Sequence, residues 1–196
     1  LFDKGDAVGA ESAARTALSL EPKLAEAQLV MGDLAMSKND VKGAVTAYKA
    51  ATGAAPKNVD AWVDLGFALL KSPDAKDTKA AIEALQKAVK LDEKHPRARY
   101  YLGFALFKTG DKKRALDAFQ TAGALDPHMA EAHFNAGKIL LGDGRKQDAA
   151  NAFKRATSAK EGYGEALLEL EKLSAENIKP DVPGAAPSPT PAPAPK

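Results

Sequence analysis

The sequence contains no cysteine, so it has neither a disulfide framework nor a thiolate metal site, an absence that fits a bacterial cytoplasm or periplasm equally. It also lacks an excess of charge of either sign. Twenty-eight Lys and Arg against 26 Asp and Glu leave a net charge of +2, too small to point to nucleic acid or to a membrane surface. No apolar run approaches the length of a membrane-spanning helix, which argues against direct membrane insertion, and no leader pattern is seen.

Chemistry-bearing motifs are equally scarce. No Gly-rich phosphate loop, nucleophile elbow or spaced pair of catalytic carboxylates stands out. His95 and His128 fall in turns and His133 at a packing position; His128 and His133 are five apart, which is not one face of a helix, so they do not make a zinc pair. Asp143-Gly144 lacks the alternating oxygen ligands of a calcium loop. No catalytic residue, metal or cofactor is therefore expected.

What the chain does have is repetition. Ala27 with Gly32, Ala61 with Gly66, Ala98 with Gly103 and Ala132 with Gly137 recur, and the glycines are spaced by 34, 37 and 34 residues. That period marks stacked helical repeats. A second register runs through Ala10, Ala44, Ala81, Ala115 and Ala149, each followed two helical turns later by Ala17, Ala51, Ala88, Ala122 and Ala156. Between these alanines stand Tyr48, Leu85, Phe119 and Phe153, with Ala14 as the small exception. Each repeat thus predicts two helices, one carrying Ala and Gly for close approach and one carrying a bulky residue to fill the gap.

Punctuation agrees with that reading. Gly5-Asp6, Asn39-Asp40, Gly110-Asp111 and Gly144-Arg145 fall where a first helix stops and a second starts. Gly or Asn suits the left-handed helix end, and the following Asp can cap the next helix. Pro22, Pro56 and Pro127 close the second helices, whereas two copies carry Glu93 and Glu161 instead.

On these residues the chain resembles the tetratricopeptide repeat family, a helix-turn-helix unit of this length. Trp62, Leu65, Gly66, Leu69, Ala81, Leu85 and Ala88 make the best copy, and Leu102, Gly103, Leu106, Ala115, Phe119, Ala122 and Pro127 the next. The resemblance implies an all-α, right-handed superhelical solenoid. It divides the chain into a partial unit at 1–24 holding a second helix, full units at 25–58, 59–95, 96–129 and 130–163, a capping helix at 164–177 with a polar outer face, and a disordered Pro/Ala-rich tail at 178–196. The chain opens at Leu1 partway into a unit, so a segment upstream is expected to be missing. Gln28, Arg99 and His133 replace the usual bulky first residue, predicting looser units than that of Trp62. Three extra residues near Lys71 to Asp77 predict a projecting turn.

In this family the first helices line a concave groove. Carried over, that implies a peptide-binding strip of Phe67, Tyr100, Tyr101, Phe104 and Phe134, with Asn135 beside it and Arg97, Lys108 and Lys138 available for acidic groups of a ligand. Val63, Leu70 and Phe107 are further inward candidates. The lysine and asparagine set of the chaperone-binding subclass is absent, apart from matches at Asn135 and Arg97. The expected role is a non-enzymatic protein-protein interaction scaffold, in the manner of bacterial envelope assembly factors. Two other roles fit the same repeats: the targeting arm of a larger enzyme, and self-association through an N-terminal face of Leu1, Phe2 and the helix from Ala7 to Leu20.

Overall fold

The computed structural model describes residues 4–181, which form ten α-helices and no strand. Leu1 and Phe2 of the expected self-association face, and the Pro/Ala-rich stretch from 182 to 196, lie outside the described residues. The helices are α1 Lys4–Leu20, α2 Ala25–Ser37, α3 Val41–Ala54, α4 Val59–Lys71, α5 Ala75–Leu91, α6 Pro96–Lys108, α7 Lys112–Leu125, α8 Ala130–Gly142, α9 Lys146–Ala159 and α10 Gly164–Ala175. Helices α2 to α9 pack most closely as consecutive pairs, and each pair leans on the next. Such a stack is an all-α solenoid, stabilised by neighbour contacts instead of one central core.

The two alanine and glycine registers meet inside each pair. A Cβ added at Gly32, Gly66, Gly103 or Gly137 would lie under 3.0 Å from the side chain of Tyr48, Leu85, Phe119 or Phe153, respectively. Those four bulky residues are buried, and Ala44, Ala81, Ala115 and Ala149 one turn before them are wholly so. Glycine on the first helix therefore makes the space that the second helix fills.

Asn39, Gly110 and Gly144 adopt the left-handed conformation, with φ of 58°, 86° and 74°. The amides of Asp40, Asp111 and Arg145 then donate back to the carbonyls of Ala35, Leu106 and Leu140 at 2.8 to 3.0 Å, the closure expected of such a helix end. Asp40 and Asp111 act twice, because their carboxylates also accept from the amides of Gly43 and Arg114 at the start of α3 and α7. Gly5-Asp6 departs from the expected stop and lies in the first turn of α1.

Two further expectations are corrected. The three extra residues do not project as a turn: α5 has 17 residues where α3, α7 and α9 have 14, so they are absorbed as one more helical turn, capped by Asp74 accepting from the Lys76 amide at 2.9 Å. The units without a bulky first residue are not left open there either. Trp62 Nε1 donates to the Pro56 carbonyl at 3.0 Å; Arg99 Nε reaches the Glu93 carbonyl at 3.2 Å, His133 Nε2 the Pro127 carbonyl at 3.3 Å, and Gln28 Nε2 the Pro22 carbonyl at 3.5 Å. Each residue ties the start of a first helix to the carbonyl six residues back. The four residues at this position share a side-chain donor of sufficient reach and differ in bulk.

Helix α10 buries Ala166 and Leu173 against α9. Its outer side is not wholly polar, since Leu167 and Leu168 are about half exposed.

Two outcomes test the packing. Gly137→Val drives a branched side chain into the buried Phe153 ring and should cost about 2 to 3 kcal/mol in urea unfolding. Gly53→Ala, with nothing within 4 Å of the new methyl group, should be neutral or stabilising by up to about 1 kcal/mol.

The second test concerns pH. Burial, with Arg155 adding to it, holds His133 below the ordinary histidine range, against the opposing pull of the Pro127 carbonyl and Asp126. The folded chain thus favours neutral imidazole while the unfolded chain binds the proton more readily. This contribution to stability is complete above the unfolded value of about 6.5 and is lost as pH falls from there through the lower folded value. His133→Gln, which keeps a donor as Gln28 does, should reduce the fall in urea midpoint between about pH 7.5 and pH 5.

Candidate peptide-binding groove

The first helices of successive pairs run beside one another, and α4 and α6 touch directly. That contact brings Phe67 of α4 against Tyr101 of α6, with ring centroids 5.0 Å apart and planes inclined by 38°. Tyr101 packs on Tyr100 at 5.3 Å, and Tyr100 in turn reaches Phe119 of α7 at 5.7 Å. The two tyrosines thus divide the work: Tyr100 anchors the row to the core, and Tyr101 bridges the two units. Aromatic pairs in this distance range add roughly 0.5 to 1.5 kcal/mol beyond the area they bury.

A cleft of about 440 Å³ opens over this row, lined by Phe67, Leu70, Lys71, Ser72, Tyr100, Tyr101, Phe104 and Lys108. Its floor is apolar and aromatic. Phe104 stands at the rim, 38% exposed, and Phe107 one turn on is 41% exposed. Lys71 Nζ lies 5.3 Å from the centroid of the Phe67 ring, a cation-π distance. Lys108 Nζ donates to the Leu70 carbonyl at 3.2 Å and so satisfies one free acceptor at the end of α4.

The cleft therefore gathers Phe67, Tyr100, Tyr101, Phe104 and Lys108 from the expected set. Phe134 is not with them. It is 8% exposed and packs between Phe153 at 5.7 Å and Tyr163 at 5.2 Å, so the aromatic strip stops at the third pair. The reason is Tyr163, which precedes α10 and covers the Phe134 ring. Val63 and Leu70 are buried as well. Asn135 sits beside Tyr100, with Nδ2 at 3.5 Å from the phenol oxygen, at the limit of a hydrogen bond.

The cations expected to await a ligand already have partners. Arg97 pairs with Asp64 at 3.1 Å, Lys108 holds the Leu70 carbonyl, and Lys138 lies 5.6 Å over Phe134. Lys71 and Ser72 line the cleft although their sequence position reads as part of an insertion. The signal was present, since Lys71 follows Phe67 by one helical turn.

Toward the N-terminal side the groove turns acidic. Burial raises the Asp64 carboxyl above its ordinary range; Arg97 opposes this, and Asp33 and Asp60 add to it. Asp33 accepts from the Tyr48 hydroxyl at 2.6 Å, and burial followed by that bond raises the Tyr48 phenol. Asp60 faces His95 Nε2 at 3.3 Å. His95 is a cap: its Nδ1 accepts from the Ala98 amide at 3.2 Å, which leaves the proton on Nε2 to point at Asp60. Among the described residues no three His, Asp or Glu side chains gather closely enough to hold a metal ion, and no helix is long and apolar enough to cross a membrane.

Known proteins place this geometry. The family profile described as the TPR domain of cytochrome c-type biogenesis protein H matches residues 11–131, and a general tetratricopeptide repeat profile matches residues 105–164. No curated protein matches the sequence. Among solved structures, one of MamA protein is 31% identical, with 79% of this chain and 84% of that one covered at a TM-score of 0.68. YrrB, described as a TPR protein with an unusual peptide-binding site, is 27% identical, with 85% and 84% covered at 0.70. The pilF protein of Pseudomonas aeruginosa shares the fold at a TM-score of 0.78 over 89% of this chain and 78% of that one, with 18% identity. Helix pairs at this period, glycines filled by the bulky residue of the partner helix, and a profile match over more than half of its length show that the chain belongs to the tetratricopeptide repeat family, through the branch described as the TPR domain of cytochrome c-type biogenesis protein H.

Proposed function

We propose that this protein is a non-enzymatic interaction scaffold that holds a segment of a partner protein in its concave groove, centred on the cleft between α4 and α6. The observation that carries the reading is the half-buried aromatic row Phe67, Tyr101 and Tyr100 with Phe104 exposed at its rim. A monomer has little reason to leave such rings in a concave, partly dry site, and aromatic residues in pockets are the usual anchors of peptide recognition. The printed description of YrrB as a peptide-binding TPR protein supports this use of the fold. The family description, cytochrome c-type biogenesis, supports an assembly role at the bacterial envelope. The acidic side chains Asp33, Asp60 and Asp64 on one flank, and Lys71 on the other, would give a bound segment a direction.

Affinity capture from a lysate of the source organism tests the reading. Phe104→Lys and Tyr101→Lys should each lose a partner that the wild type retains, by roughly 30-fold or more, with helicity unchanged. Leu167→Lys, which removes a more exposed leucine on α10, should retain it. Identical protein lists from all four samples would overturn the assignment of the groove.

A further inference from the structure

Beyond the groove, α9 is contacted along one stripe by the chain that follows α10. After α10 the chain turns at Asn177, which has a φ of 62°, and the Ile178 amide closes the helix on the Leu173 carbonyl at 2.9 Å. Residues 178–181 then lie along α9. Ile178 packs on the apolar cluster that includes Leu173. Gln147 Nε2 donates to the Lys179 carbonyl at 2.6 Å and to the Asp181 carboxylate at 3.1 Å. Asn151 holds Asp181 from both sides: its Oδ1 accepts the Asp181 amide at 2.7 Å, and its Nδ2 donates to the Asp181 carboxylate at 2.6 Å. Lys146 pairs with Glu176 at the start of the strap.

The repeat pattern shows that these contacts are particular to α9. Two positions before the buried alanine, the second helices carry Lys42, Lys79 and Lys113, then Gln147; two positions after it they carry Thr46, Glu83 and Asp117, then Asn151. The earlier six are all exposed. Only in α9 does a pair of neutral amides replace them, one helical turn apart on one stripe. A carboxamide presents a donor and an acceptor side by side, which is what reading a backbone N–H together with a neighbouring carboxylate requires. At the Asn151 position a Lys could donate to the carboxylate but could not accept the Asp181 N–H, and an Asp or Glu could accept the N–H but would repel the carboxylate.

We infer that Gln147 and Asn151 form a second peptide-binding site, selective for an extended segment with an aliphatic residue three positions before an Asp, and that Ile178 to Asp181 fill it in cis as a displaceable ligand. A tethered ligand of this kind competes at an effective concentration of about millimolar order. Occupation in cis therefore requires an intrinsic affinity of that order or better, and a partner segment with the same pattern takes the site when the strap is released.

The test uses the full chain, labelled for amide and side-chain amide NMR, and the capped peptide Asn-Ile-Lys-Pro-Asp corresponding to residues 177–181. In the wild type the Asp181 amide should exchange roughly tenfold or more slowly than an unstructured reference, and Asn151→Ala should abolish that protection. Asp181→Ala weakens the strap and should let the added peptide shift the side-chain amides of Gln147 and Asn151 with a dissociation constant of about 0.1 to 1 mM, as tenfold protection at millimolar effective concentration requires. The same peptide with its Asp replaced by Ala should bind at least about fivefold more weakly, and the wild type should respond at least about fivefold less. An Asp181 amide that exchanges freely in the wild type would show that the strap is not docked. A peptide that binds Asp181→Ala no better than wild type, or binds without regard to its own Asp, would show that the contacts are local packing and overturn the site. Helicity of each variant separates either result from unfolding.

Discussion

Within each helix pair, a glycine on the first helix leaves room for a bulky residue on the second, and everything else in the molecule is built on that fit. Gly32 under Tyr48, Gly66 under Leu85, Gly103 under Phe119 and Gly137 under Phe153 leave no volume for even a methyl group. Because the fit recurs at a nearly constant spacing, each pair presents the same faces to its neighbours and the stack propagates. A chain of 196 residues thereby acquires a long concave surface without a thick core, its interior made largely of alanine.

The same constraint explains where the structure tolerates change. At the first position of the unit, Trp62, Arg99, His133 and Gln28 differ in size and charge, yet each directs a donor to the carbonyl six residues back. Only the hydrogen bond is fixed there. An added turn of α5 is accepted because it extends the free end of a helix and leaves the Gly66 and Leu85 contact in register. Positions on the open side of the first helices are under neither restraint, and it is there that the third pair accumulates Tyr100, Tyr101, Phe104 and Phe107.

The groove and the strap use different chemistry for related ends. In the cleft between α4 and α6, rings and methylene groups supply area, and the surrounding cations already have partners, Arg97 in Asp64 and Lys108 in the Leu70 carbonyl. A ligand entering there has to exchange partners with these groups or rest on the rings alone. Along α9 the contacts are hydrogen bonds to backbone and carboxylate, which suit an extended chain and contribute direction more than area. On these two proposals one solenoid offers two binding surfaces, because its first and second helices face different neighbours.

The sequence by itself determined the helices, their pairing and the aromatic character of the third pair, since periodicity, Gly and Ala registers and turn residues act locally and repeat four times. The positions of Asn39, Gly110 and Gly144 were legible for the same reason: a left-handed residue and its following cap are neighbours in the chain. Only the tertiary structure decided which of the candidate rings stay open. Phe134 and Tyr100 stand three residues before Gly137 and Gly103, and each packs on the bulky residue of its second helix, Phe153 or Phe119; Tyr163, arriving from the turn before α10, closes over Phe134 and buries it, whereas Tyr100 stays half-buried and Phe104, one turn on, stays exposed. It likewise decided that the expected groove cations are paired, and that Gln147 and Asn151 hold a segment some 30 residues downstream. Burial and pairing at a given side chain depend on what a distant part of the chain brings to it, and no local pattern encodes that arrival.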